Sequence, residues 1–169
     1  MLLAHQNLYF GEREKKDIII EGRNVKEDIE KAKDQVSRIR SLANMVENTV
    51  FMNNIISIAN TSTKIIQTIE NEPKKIRKVD SFFDYYLPVT INIITRYDEI
   101  ENQRLVSADS KMFMEKSRQI IAQLDVALQN LLASLYQNDI VNTEADLKVL
   151  DMMMKAEGLN SESLNVDKK

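Results

Sequence analysis

VKEDIEKAKDQVSRIRSLANMVENTV, residues 25–50, is the stretch that decides the fold. Its apolar positions Val25, Ile29, Ala32, Val36, Ile39, Ala43, Val46 and Val50 follow one another at steps of 4, 3, 4, 3, 4, 3 and 4. That spacing draws one narrow apolar stripe along a helix, the kind of seam that packs against a second helix in coiled-coil fashion. Asn24 stands where a helix N-cap belongs. Glu27, three residues on, completes a capping-box-like pattern with Asn in place of Ser or Thr. The polar Glu47-Asn48-Thr49 predicts a break, with Asn48 or Thr49 capping a second helix instead of one rod running on.

The period continues outward. A second helix is expected to about Glu70, with Met52, Ile55, Ile56, Ala59, Ile65, Ile66 and Ile69 inward. Asn53, Asn54, Ser57, Asn60, Thr61 and Ser62 would form its polar face. Pro73 ends it and suits the first turn of the next helix, where its missing N–H is not needed. A third segment, about Lys74–Arg104, carries Ile76, Val79, Phe82, Phe83, Tyr86, Leu87, Ile91, Ile94 and Tyr97 at helical spacing. Pro88 lies inside that pattern and predicts a kink, because the period resumes directly after it. A fourth helix is expected over about Lys111–Gln137, with a stripe of Phe113, Ile120, Ile121, Leu124, Leu128, Leu131, Leu132 and Leu135. Asn138-Asp139 then predicts a turn, and Thr143 the cap of a short fifth helix through about Glu157, with Leu147, Leu150 and Met154 inward. Gly158 follows where helices often end. No segment alternates with period two, so no sheet is expected. The reading is an all-α, elongated antiparallel bundle of about five helices, one kinked at Pro88. Residues 17–159 would be a single helical-bundle domain. Residues 160–169 read as a frayed tail, and residues 1–16 as a tag remnant or disordered lead, since Asn7-Leu8-Tyr9-Phe10-Gly11 resembles a tag-removal protease site lacking its Gln.

Composition narrows the function. Of 169 residues, 23 are Lys or Arg and 26 Asp or Glu, a net charge of −3 that argues against a nucleic-acid binder. Zero Cys excludes disulfides, thiolate nucleophiles and Cys-ligated zinc. Three Gly and two Pro are too few for a β-sandwich, a Rossmann turn or a phosphate-cradling loop. No apolar run approaches the roughly 20 residues of a membrane-spanning helix, and no secretory h-region follows Met1–Ala4. The single His5 lies in the lead, which weakens any His-based acid–base or metal chemistry.

What remains is carboxylates, a basic run and aromatics. Asp80 and Asp84 share one helix face, and Asp98, Glu99 and Glu101 cluster one helix-length on. All-oxygen Mg²⁺ sites can be built so, which makes Asp80 and Asp84 candidate metal ligands. The bland reading of such groups is a solvated surface. Lys74, Lys75, Arg77 and Lys78 open a helix, where cations are electrostatically misplaced unless an anion, an acidic partner or a headgroup meets them. Tyr85 and Tyr86, beside Phe82 and Phe83, fit a core by their spacing, but a kink lined with tyrosine hydroxyls can also expose a partner groove. Met152-Met153-Met154 reads as core filling before binding surface.

Val79-Asp80-Ser81-Phe82-Phe83-Asp84-Tyr85-Tyr86-Leu87-Pro88-Val89-Thr90 resembles the core motif of the 5-bromo-4-chloroindolyl phosphate hydrolysis protein family (XpaC-like). The resemblance takes in Ile65-Ile66 and Pro73 upstream, then Ile94 with Tyr97, the Leu-rich Ile120–Leu135 and the ending Asp146-Leu147 to Gly158-Leu159. It spans about residues 25–159. It implies a bacterial cytoplasmic protein, at the cytoplasmic face of the membrane in a full-length form, since members often begin with transmembrane segments that this sequence lacks. It also implies association with TelA-type toxic-anion-resistance proteins. It supplies no catalytic residues to carry over. Two functions follow as expectations. One is a helical interaction or scaffold module, with a helical and TelA-type partner or self-association, no nucleic acid and no cofactor. The other is a phosphomonoester hydrolase using carboxylate-bound Mg²⁺ or Mn²⁺.

Overall fold

The computed structural model describes residues 16–159. The expected lead and tail, His5 included, lie outside the described residues except for Lys16. Contacts divide the chain into two compact units, one ending at Gln129 and the other beginning at Asn130.

The first unit opens with a feature the periodicity did not predict. β1 (Ile19–Ile20) and β2 (Arg23–Asn24) pair antiparallel through a two-residue turn. Glu21 and Gly22 both take positive φ, 49° and 81°, the turn geometry that matches the twist of a hairpin. Two residues per strand are too short to leave a period-two signal. The hairpin delivers Asn24 as the N-cap of α1 (Val25–Ala43), its side chain accepting the Glu27 N–H at 3.2 Å.

The heptad seam is buried from Val25 to Val46, and Val50 is exposed. The reason is the predicted break. The chain reverses over residues 44–48, and Asn48 caps α2 (Thr49–Asn71) by accepting the Phe51 N–H at 2.9 Å. Polar pairs fix the direction. Lys33 is paired with Glu70, and Arg40 reaches Asn60 (2.7 Å) and Thr63 (3.1 Å), so rising numbers in α1 meet falling numbers in α2. The two helices are antiparallel. Ile55, Ala59, Ile65, Ile66 and Ile69 are buried as expected, together with Phe51 and Ile58. Thr61 and Ser62, assigned to the polar face, are buried instead; small side chains there let helices approach closely.

Pro73 starts a 3₁₀ segment (Pro73–Val79), and a π-helical turn (Phe82–Tyr86) leads into α3 (Leu87–Asn102). Pro88 explains the wide turn. It has no N–H to give the Asp84 carbonyl, and its ring would crowd that carbonyl in a regular helix. The Leu87 N–H reaches back to the Phe82 carbonyl, five residues away, and the helix passes the proline without stopping. α3 runs parallel to α1: Arg23 meets Asp80 and Asp84 at one end, and Glu47 meets Glu101 and Arg104 at the other. Arg104, two residues past the end of α3, adopts φ 52° where glycine is commoner.

Ser107 accepts the Ser110 N–H at 3.1 Å and begins α4 (Ala108–Ala156). Its first part returns antiparallel to α3, with Arg118 donating to the Tyr97 hydroxyl at 3.0 Å and Ser57 of α2 donating to Asp125 at 2.6 Å. Ser117, Ile121 and Leu128 turn inward at heptad spacing; Ile120 remains 49% exposed. The core is all-α and bundle-like.

In the second unit one expectation is corrected. There is no turn at Asn138-Asp139 and no separate fifth helix, because α4 is continuous to Ala156. With no Gly or Pro nearby, Asn and Asp cost too little to break it. Thr143 donates to the Asp139 carbonyl four residues back, at 2.7 Å, where a cap was expected. Leu147 and Leu150, expected inward, face outward. Periodicity identifies an apolar stripe but does not say whether its partner lies in the same chain.

Candidate functional site

Asp80 and Asp84 converge on a cation the chain supplies itself. Arg23, delivered by β2, donates to Asp80 at 3.0 Å and to both oxygens of Asp84 at 3.1 and 2.6 Å; its Nε pairs with Asp28. The guanidinium also lies over the Phe83 ring, 5.7 Å from its centroid. Burial works against its charge, but the hydrogen bonds it donates to Asp84 and Asp28, with the charges of those carboxylates, outweigh that and hold the pKa above its ordinary value. Arginine stays protonated in proteins, so Arg23 is a fixed cation. This donor set does not fit a divalent metal, which would have to sit beside a fixed positive charge sharing the same oxygens. Among the described residues no group of three or more His, Asp or Glu side chains is placed to hold a metal ion.

The other carboxylates are elsewhere. Asp98 and Glu101 are buried near the far end of α3, roughly 20–25 Å along the axis from Asp84 at 1.5 Å per residue. Glu101 accepts the Glu47 N–H at 2.9 Å and ties down the α1–α2 loop, assisted by Arg104 paired with Glu47 at 2.8 Å. Asp98 Oδ1 is buried with no hydrogen-bond partner among the described residues. Glu99 pairs with Arg96 on the surface. These groups do not share a cleft with Asp80 and Asp84.

The basic run finds acids of its own. Arg77 pairs with Glu21 and Lys75 with Glu72 at 3.1 Å, while Lys74 and Lys78 are exposed.

Tyr85 and Tyr86 do form part of a concave surface. They project from the π turn, 60% and 40% exposed, edge to face at 6.1 Å. With Val89 and Ile93 of α3 and Ile120 and Leu124 of α4 they line a groove of about 420 Å³. A second hollow of about 400 Å³, reaching Phe113 and Lys116, shares Ile93, Ile120 and Gln123 with it. The two form one furrow along the α3–α4 seam. Its walls are mostly apolar, with tyrosine hydroxyls at one end and amides along the rim. The lining holds no carboxylate, histidine or cysteine.

The family model described as 5-bromo-4-chloroindolyl phosphate hydrolysis protein matches residues 12–150, most of the chain. The chain belongs to that family. No curated protein and no solved structure matches it. The matched span covers the Arg23 cluster, the π turn and the furrow together. Sequence reasoning singled out Asp80, Asp84, Tyr85 and Tyr86 but missed Arg23 as their cation, because 57 and 61 residues separate it from the two aspartates. It also missed Val89 and Ile93 as furrow walls. Their only signal was residue spacing relative to Pro88, and the wide turn alters that spacing.

Proposed function

We propose that the chain is a helical binding module whose tyrosine-rimmed furrow takes a helical protein partner, a TelA-type toxic-anion-resistance protein acting at the cytoplasmic face of the membrane. One observation carries this reading. The concave surface is mostly apolar and its lining holds no carboxylate, histidine or cysteine, while the carboxylates suited to chemistry are held on Arg23 or scattered. Ile93 and Ile120, shared by both hollows, are the central apolar contacts for a partner's side chains. Calorimetric titration with a purified TelA-type protein tests it. Saturable binding is expected, weakened at least about tenfold by Val89→Glu or Ile93→Glu, which place a charge in an apolar wall. Absence of binding by the unaltered chain, or binding indifferent to both changes, defeats the reading.

The family description favours a second reading, a phosphomonoester hydrolase using Mg²⁺ or Mn²⁺. Purified chain incubated with a chromogenic indolyl phosphate, with and without either metal, is expected to show no turnover above blank. Turnover that disappears in Asp80→Asn or Asp84→Asn would establish the hydrolase.

Pro88→Ala restores an N–H able to reach the Asp84 carbonyl, so the wide turn can relax to a regular one. Helix content by circular dichroism is expected to stay nearly constant while partner affinity drops, because Tyr85 and Tyr86 project from that turn. Unchanged affinity would remove the wide turn from the binding surface.

A further inference from the structure

α4 carries a second apolar seam in the unit that begins at Asn130. Ile140, Thr143, Leu147, Leu150 and Met154 follow at steps of 3, 4, 3 and 4, the spacing that α1 buries. Here Ile140, Leu147 and Leu150 are 55%, 61% and 55% exposed. The seam extends about 21 Å, close to four helical turns. Its edges are acidic: Glu144 and Asp151 border one side and Asp146 the other, all exposed. Lys148 and Lys155 lie farther round the helix, and Lys155 engages Asp151 at 2.9 Å.

Those edges decide the occupant. In a parallel pairing with a second copy, Asp146 would oppose Asp151; in an antiparallel one, each acidic edge would oppose itself. Like charges disfavour both arrangements. We infer that this face docks a partner helix whose own apolar seam is flanked by Lys or Arg. The site is distinct from the furrow between α3 and α4 and does not depend on what that furrow binds.

Fluorescence anisotropy on the full chain tests the inference with two synthetic amphipathic peptides that share a leucine seam. One has lysine at the flanking positions and the other glutamate. The lysine peptide is expected to bind, and the glutamate peptide at least about tenfold more weakly. Raising salt from about 50 to 500 mM should weaken the lysine peptide about tenfold. The surface variant Glu144→Lys/Asp146→Lys/Asp151→Lys should invert the preference, and Leu147→Ser/Leu150→Ser should abolish binding of either peptide, with circular dichroism unchanged. Val89→Glu in the furrow should leave lysine-peptide binding intact, which separates failure here from failure of the furrow reading. Equal binding of both peptides overturns the inference, as does loss of binding in Val89→Glu. So does a dimer in sedimentation that Leu147→Ser dissociates, or adsorption to phosphatidylcholine vesicles through the same leucines.

Discussion

Phe82→Ala is expected to lower the free energy of unfolding by about 3–5 kcal/mol, the usual cost of emptying a buried aromatic site. Phe82 is fully buried, meets Phe83 edge to face at 5.1 Å and 84°, and accepts through its carbonyl the long hydrogen bond that carries the helix past Pro88. The hole left by its ring would open inside a turn already widened by one residue, where the backbone has little freedom to close on it. Against a typical total of about 5–15 kcal/mol, that is a large fraction. A urea melt monitored by circular dichroism reads it directly. A change below about 1 kcal/mol would mean that the side chain does not pack as described.

Arg23→Met is expected to cost about 2–3 kcal/mol. Removing one partner from a buried ion pair costs about 3–5 kcal/mol; the half-exposed Asp80 and the more exposed Asp84 reduce that figure through solvent screening. Methionine keeps most of the apolar stem, so the loss reports mainly on charge. Three carboxylates would then face one another without a counter-charge. Two signatures distinguish this from lost packing. Added salt should recover part of the loss in Arg23→Met, and Asp84→Asn in that background should recover about 1 kcal/mol while destabilising the unaltered chain. If Asp84→Asn destabilises both equally, the cluster does not act as a unit.

The all-α class, the seam of α1, the break before Asn48 and the end of α2 before Pro73 were legible in the sequence because each follows from local chemistry: period, cap or missing N–H. The hairpin at Glu21-Gly22 was not, since two-residue strands are too short for a period. The continuity of α4 through Asn138-Asp139 was misread because weak helix formers were given the weight of true breakers. At the candidate site the spacing of Tyr85 and Tyr86 favoured the core, and their exposure of 60% and 40% fits the alternative, a kink that opens a groove. Arg23 was not, because nothing local marks a cation that acts across some sixty residues. The inward series of the third segment is Val79, Phe82, Phe83, Leu87, Thr90, Ile94 and Tyr97; because Phe83 to Leu87 is an ordinary step of four, the spacing hid the five-residue reach from Leu87 back to Phe82.

That long reach has a consequence for chain length. A helix with one residue to spare at a single turn can lose it there and keep its later side chains on their original faces, although Pro88 would still leave one carbonyl of that turn without its N–H. Trimming one residue between Phe83 and Tyr86 should therefore be borne far better than the same excision anywhere in α1, where every inward side chain beyond the cut would swing out of register.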